Sequence, residues 1–575
     1  MPETGEPWDD NDRLSDHWFG PVTMLVDIRK WFAGSRTISI RAGGDWLMSP
    51  DGARSHGFEV ALVLITIAAL LPYFAGGDPP GVDAPTFLHF AWVFEQSFHG
   101  SPAGFLDDPW WYGGLPYLQA YSPGGYGLVG LVAALSPMEI ATSFKLVMAV
   151  AFAATAVLTF RLGLTLGLRS LLAFTGAALL VLSYPVLSGI GLYGWLPTMA
   201  SMPLALAAVM ALEKWIARGG VKLAVLTGAF LGMSLVAHHM TAIAFSIVIA
   251  VRLGMYMLDN RPDWRVTGRF VLWSSVTAVV VSAWWAIPFL MNTLSVGFQR
   301  EIAGNWQFGF GTVLTNVFNR GLIGIETYPS YIGIAQGLLG IGGSIYAIVY
   351  RTRMRGTAVA LLVLLWFSMG ASVNPLIKVY PLSGLDVSRF GFYAAPLLAL
   401  VAAASVQELA SSKLVSARPA AVYVMIAVIL VLPMADAFAT RDTLSPVEEP
   451  EFVRETVDWI GANVEPDSKI LAVGFRNWDG YWIPARTGLP IMDGWYDEGA
   501  ANWRDVREYR LMGWLGEMDI DRLHEVMIQQ DTDYLVVVDW DSTDGPWLFS
   551  EAADARADLF APVGVLDGAV VYRLQ

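Results

Sequence analysis

Residues 121–135 read YSPGGYGLVGLVAAL. Whether this stretch crosses a bilayer decides which side of the membrane everything after it occupies. A spanning helix needs about 20 apolar residues, whereas Ser122–Leu135 supplies 14, four of them glycine. Working outward, long apolar segments lie near 57–76, 140–160, 170–189, 197–216, 222–238, 240–258, 270–291, 331–350, 356–372, 389–408 and 419–438, eleven in all. Basic residues favour the cytoplasmic ends of spans. With eleven spans and a cytoplasmic N-terminus, 20 of the 25 Lys and Arg before position 440 lie inside; counting Ser122–Leu135 as a twelfth leaves only 11 inside. The charge pattern therefore predicts eleven spans, with Ser122–Leu135 a re-entrant or surface helix and the C-terminal region outside the cell.

Composition agrees with a membrane chain. Of 575 residues, 55% are hydrophobic and 15% charged, and mean hydropathy is +0.48. Soluble domains carry nearer a quarter charged residues, so a soluble enzyme and a disordered chain are both excluded. From position 440 onward there are 27 acidic against 11 basic residues, a net of −16, while the preceding 439 residues sum to +1. Only 7 of 36 basic residues are Lys. An acidic, Lys-poor exterior suits a high-salt, archaeal-type habitat, where screening relieves self-repulsion, and argues against nucleic acid as a partner. There is no Cys, which excludes disulfides, thiol catalysis and Cys-ligated metals.

The predicted domains are a cytoplasmic segment 1–56, a transmembrane domain 57–438 with a first external loop 77–139, and an acidic external α/β domain 439–575. Residues 1–56 are polar and begin acidic, so the first hydrophobic segment reads as an anchor rather than a cleaved signal, and Trp31 and Phe32 with flanking basic residues suggest a surface helix. In the C-terminal region, helical patterns at 451–463 and 520–530 precede the strands Lys469–Val473 and Tyr534–Val538, and Ala569–Leu574 reads as a closing strand.

Candidate chemistry gathers outside the membrane. The first loop has no basic residue but carries Asp78, Asp83, Glu95, Asp107, Asp108 and Glu139. Asp83 stands in GGDPPGVDAPTFLHF, directly before Ala84-Pro85. It reads either as a helix N-cap or as a carboxylate base at the lipid–water boundary, its basicity raised by desolvation. Downstream, Phe87, Phe90, Phe94 and Phe98 recur at helical spacing, predicting an interfacial helix with Thr86, His89 and Gln96 on its polar face. Asp78 and His89 could support Asp83. Asp107-Asp108 reads as a helix cap more readily than as a metal site. Trp110, Trp111, Tyr112, Tyr117, Tyr121 and Tyr126 form an aromatic cluster, either an interfacial belt or, in part, a surface for a sugar face or prenyl chain. His238-His239 at an external turn suits a lipid phosphate or simple packing. Arg389, one of five external basic residues before position 440, suits an anionic headgroup or snorkels. Trp478, Trp482, Trp495 and Trp503 read as a domain core or as an acceptor surface. No nucleotide-binding Gly motif, hydrolase elbow or HExxH is present, and few charges lie mid-span, against an ion-coupled transporter.

The Gly-x-Asp…His of the first loop and YSPGGYGLVGLVAAL resemble the GT-C membrane glycosyltransferase superfamily, in particular its members labelled 6-pyruvoyl-tetrahydropterin-synthase-related. The resemblance is specific over about 75–200 and looser around Ala237–Thr241 and Ser388–Phe390. It implies transfer of a sugar, with inversion, from a polyprenyl or dolichyl phosphate carrier to a glycan, lipid or protein acceptor on the external face. Asp83 would be the base, Arg389 and His238/His239 would hold the lipid phosphate, and Asp78, His89, Trp110, Trp111 and Tyr121 would line the substrate site. Trp110–Gly114 is not the WWDxG of oligosaccharyltransferases, and the first loop has no Asp-x-Asp, so no cofactor is demanded and a divalent cation is left open. A non-catalytic protein that binds or moves a lipid-linked glycan is the alternative.

Overall fold

The computed structural model describes residues 52–100, 107–296, 310–322, 331–370, 372–379, 386–411, 419–494, 500, 502, 506, 508–509, 518–540 and 546–575. Most of residues 1–56, including Trp31 and Phe32, lie outside them, as do Trp495 and Trp503.

The described residues between 52 and 439 are almost entirely helical. Five helices are long and apolar enough to cross a membrane: Ile140–Thr165, Leu196–Arg218, His239–Asn260, Trp264–Leu294 and Ala420–Ala439. Ser170–Val181 and Tyr184–Gly191 form a sixth if taken together, with a 40° bend between them. The bend falls at Ser183, whose backbone is extended (φ −75°, ψ 135°), and Pro185 stands in the first turn of the new helix, where its missing N–H costs no hydrogen bond. The other five expected spans coincide with apolar helices of 10–17 residues, and so does Gly124–Leu135. By helix length the described residues thus contain five or six spans, fewer than the hydropathy reading of eleven. Hydropathy counts apolar residues whether or not they are helical, whereas Gly, Pro and aromatic turns end these helices early.

The short helix Gly124–Leu135 is wedged among its neighbours. A Cβ on Gly124 would lie 2.8 Å from Ala237 Cα, and one on Gly125 2.9 Å from Pro197 Cα. Only glycine permits backbones to approach this closely.

Beyond position 445 the chain forms a four-stranded sheet of order β1-β2-β4-β3. β1 (Ile470–Val473) runs parallel to β2 (Tyr534–Val538); β4 (Ala569–Leu574) is antiparallel to both β2 and β3 (Phe560–Leu566). ILAV and YLVVV are buried along their whole lengths, as continuous apolar strands should be. The outer edge of β1 is occupied by Ile491, which also bridges to Trp111, so the first loop helps close the sheet edge.

Candidate functional site

Asp83 is brought into position by two facing turns. Val82 N–H donates to Leu192 O and Asp83 N–H to Tyr193 O, each at 3.0 Å. Gly81 (φ +113°) and Gly194 (φ +66°) make this possible: a Cβ on Gly81 would lie 2.2 Å from Gly194 N. Asp83 stands at the N-cap of Ala84–Phe98, yet its side chain makes no capping hydrogen bond, and it is only 7% exposed. The cap reading thus loses the hydrogen bond that would define it.

Tyr193, whose carbonyl holds Asp83, stacks on Trp195 with ring centroids 4.5 Å apart and planes 15° from parallel. The guanidinium of Arg389 lies over that same Trp195 ring, 4.8 Å from its centroid. Arg389 Nε also donates to Asp386 Oδ2 at 2.8 Å, and Ser388 O–H donates to the same carboxylate. Arg389 is therefore held by a stacking face and an ion pair, rather than snorkelling.

His238 caps the helix His239–Asn260, its ring accepting from Thr241 N, and its Nδ1 is 2.8 Å from Thr241 Oγ1 and 3.2 Å from Thr198 Oγ1. His239 Nδ1 is 3.0 Å from Ser122 Oγ. Tyr121 closes the ring: its centroid is 6.1 Å from His238, 5.7 Å from His239 and 5.6 Å from Phe87, one turn beyond Asp83. Tyr393 lies 6.2 Å from His238 and is fully buried. Asp83, Tyr121, His238, His239 and Arg389 are thus linked through shared neighbours. An acid–base group, a fixed guanidinium and two imidazoles in one cluster can accept a proton and hold an anion.

The remaining candidates face elsewhere. Asp78 Oδ2 accepts from Trp482 Nε1 at 2.9 Å, and its backbone pairs with Val447. Burial pushes the Asp78 carboxyl above the usual aspartate range; the Trp482 indole N–H opposes this and nearby Glu449 adds to it. His89 Nε2 lies 2.7 Å from Asp108 Oδ2, both groups fully buried, and its ring stacks on Trp111 at 4.3 Å and 6°. Trp111 Nε1 donates to Gly480 O at 2.8 Å, and Trp110 Nε1 to Gly488 O at 3.1 Å. These aromatics therefore form no interfacial belt; they bind the first loop to the C-terminal region. Ala84–Phe98 is likewise not an interfacial helix with a wet face, since Thr86 and His89 are as buried as Phe87 and Phe90. Asp108 caps no helix; it accepts from Trp110 N at 2.9 Å and pairs with His89. Among the described residues no cluster of three or more His, Asp or Glu could hold a metal.

Sequence reasoning overlooked Tyr193, Trp195, Ser122, Thr198 and Tyr393. The run LYGWLP at 192–197 was the available signal, with two aromatics around a glycine between apolar segments.

Residues 118–442 match a family described as 6-pyruvoyl-tetrahydropterin synthase related domain; membrane protein. No curated protein matches the chain in sequence. Among solved structures it is similar to the arabinofuranosyltransferase AftD from Mycobacteria, at 16% identity and TM-score 0.61, over 93% of this chain and 40% of that one. It is also similar to the archaeal oligosaccharyltransferase AglB from Archaeoglobus fulgidus, in complex with an inhibitory peptide and a dolichol-phosphate, at 12% identity and TM-score 0.55, over 84% of this chain and 69% of that one. ArnT from Cupriavidus metallidurans, bound to undecaprenyl phosphate, is similar at 13% identity and TM-score 0.53, over 92% and 98%. The chain spans only two fifths of the mycobacterial protein, and at these identities the likeness is one of fold.

Proposed function

This chain belongs to the 6-pyruvoyl-tetrahydropterin-synthase-related family of membrane proteins and has the GT-C fold, and from that premise we propose that it is a membrane glycosyltransferase using a sugar carried on a polyprenyl phosphate. The observation that carries the reading is the linkage of Asp83 to Arg389 and the paired histidines through Tyr193, Trp195, Phe87 and Tyr121. In the proposed reaction an acceptor hydroxyl attacks the anomeric carbon as the bond to the lipid phosphate breaks. The hydroxyl proton passes to Asp83, the configuration inverts, and the departing phosphate takes the bonding pair. Arg389 and a histidine hydrogen bond stabilise that developing charge.

The reading puts the site on the external face, with eleven crossings, and assigns no step to a metal. The test is sugar transfer in membranes given labelled polyprenyl-phosphate sugars. Asp83→Asn is expected to lower transfer by about 10²–10⁴-fold, the usual range for losing a general base, at unchanged expression. Equal transfer by both proteins would remove Asp83 from the chemistry. Absence of transfer from any donor would favour a lipid-glycan binder.

A further inference from the structure

The C-terminal region carries a second aromatic arrangement that the transfer reaction does not use. Trp478, Trp482 and Trp540 form a ladder: centroids are 4.8 Å apart at 20° for the first pair and 5.8 Å apart at 18° for the second. Trp478 and Trp482 are buried, 3% and 2% exposed, which makes them core. Trp540 ends the ladder half-buried, at the surface. Over its ring, 5.1 Å from the centroid, lies the guanidinium of Arg476, itself an exposed residue. Among the described residues Arg476 has no carboxylate partner, although this region is strongly acidic.

Two independent features mark this place. Arg476 and Asn477 both hold left-handed backbone, at φ 53° and 68°. Consecutive residues with a Cβ rarely adopt that conformation, and such strain gathers at binding sites. The strained loop leaves the carboxyl end of β1, and Trp540 leaves the carboxyl end of the parallel strand β2. In α/β sheets ligands settle outside the carboxyl ends of parallel strands. At its middle rung the ladder meets the first loop, where Trp482 Nε1 donates to Asp78, five residues before Asp83.

We infer that Trp540 and Arg476 form a subsite for an anionic sugar, one bearing a carboxylate or sulfate, and that this sugar belongs to the acceptor. The part of the Trp540 indole left in water beside Trp482 and Arg476 offers apolar contact to the sugar's C–H groups. Beside it, the guanidinium takes the anionic group through charge-assisted hydrogen bonds. In so acidic a region an Arg with no carboxylate partner among the described residues is what selects an anionic glycan, which the surrounding surface would otherwise repel. The assignment to the acceptor rests on the proposed transferase reading; the binding itself does not.

The experiment uses the full chain in lipid nanodiscs at low ionic strength, with methyl β-glucuronide, glucose 6-sulfate and methyl β-glucoside as probes and saturation-transfer NMR as readout. At least one anionic probe is expected to bind about tenfold more tightly than the glucoside, the size of one charge-assisted hydrogen bond, and the better of the two names the anionic group. Arg476→Gln, at an exposed position, is expected to erase that preference and Arg476→Lys to keep part of it. Asp83→Asn is expected to bind as wild type does. Equal binding of charged and neutral probes, no binding at all, or an anionic preference that survives Arg476→Gln would overturn the subsite. Glucuronide binding in a protein that transfers no sugar would sink the transferase reading alone, and transfer without anionic preference would sink the subsite alone.

Discussion

Arg389 shows how much one side chain's meaning depends on its neighbours. In sequence it is a cation at a membrane boundary, for which snorkelling is a sufficient account. In the fold it is stacked on Trp195 and tied to Asp386, so its rotamer is set before any ligand arrives, the arrangement a phosphate site needs. Arg389→Gln is expected to raise KM for the lipid-linked donor by about 10–100-fold, the range for one charged hydrogen bond, with Arg389→Lys recovering part; a titration of donor concentration checks it. Asp78 makes a prediction of opposite character. Its carboxyl is raised by burial, so the folded state holds the proton more firmly than the unfolded chain does. The associated stability is present at acid pH and is lost as pH rises from about 4, the ordinary aspartate value, through the raised folded value. Asp78→Asn keeps an acceptor for the Trp482 indole and removes that loss. Its Tm is expected to equal or exceed wild type at pH 7 and to vary less between pH 4 and 7.

At the scale of elements, the short helix Gly124–Leu135 and the turn before it bind the site together. Ser122 reaches His239, by side chain and by accepting from its backbone N–H, and the Tyr121 carbonyl accepts from Trp285 Nε1 at 3.2 Å. The Ser122–His239 contacts sit beside the close approach that Gly124 allows to Ala237, two residues before His239. Gly124→Val is therefore expected to cost about 1–3 kcal/mol by overpacking and to lower transfer by moving Ser122 away from His239. Thermal unfolding by fluorescence, read beside activity, tests both parts. Loss of stability with full activity would detach this helix from the site.

For the whole molecule, the expected arrangement is a membrane body with its basic loops inside and the sheet-bearing region outside. The chain has no cysteine, so single-cysteine variants report topology without background. Asp567→Cys, exposed in the turn between β3 and β4, is expected to react with an impermeant maleimide on intact cells. Lys222→Cys, exposed in the first turn of Val221–Ala237, is expected to react only after permeabilisation. The reverse pattern would invert the topology and leave Asp83 on the cytoplasmic side. The first loop and the sheet share one core through Trp111, Trp482 and Ile491. The sheet-bearing region is thus packed against the loop that carries Asp83, rather than hanging from the last apolar helix as a separate lobe.

The chain by itself determined its solvent and its pattern. Apolar runs, scarce charge and the Gly-rich stretch after Tyr121 are local properties, and hydrophobic transfer acts on them locally. The strands were legible for the same reason: ILAV and YLVVV are continuous apolar runs bounded by turns. Asp83, Arg389 and the His238-His239 pair stood out as candidates for a related reason, because charged and imidazole side chains are conspicuous at the ends of apolar segments. Only the tertiary structure decided which aromatics do what. Trp111, Trp195 and Trp540 look alike in sequence, yet one is buried between loop and sheet, one carries Arg389, and one ends a ladder at the surface. The same holds for His89, drawn out of the candidate site by Asp108, nineteen residues away. A polar or aromatic group takes its role from the partners that satisfy it, and in a folded chain those partners come from distant sequence.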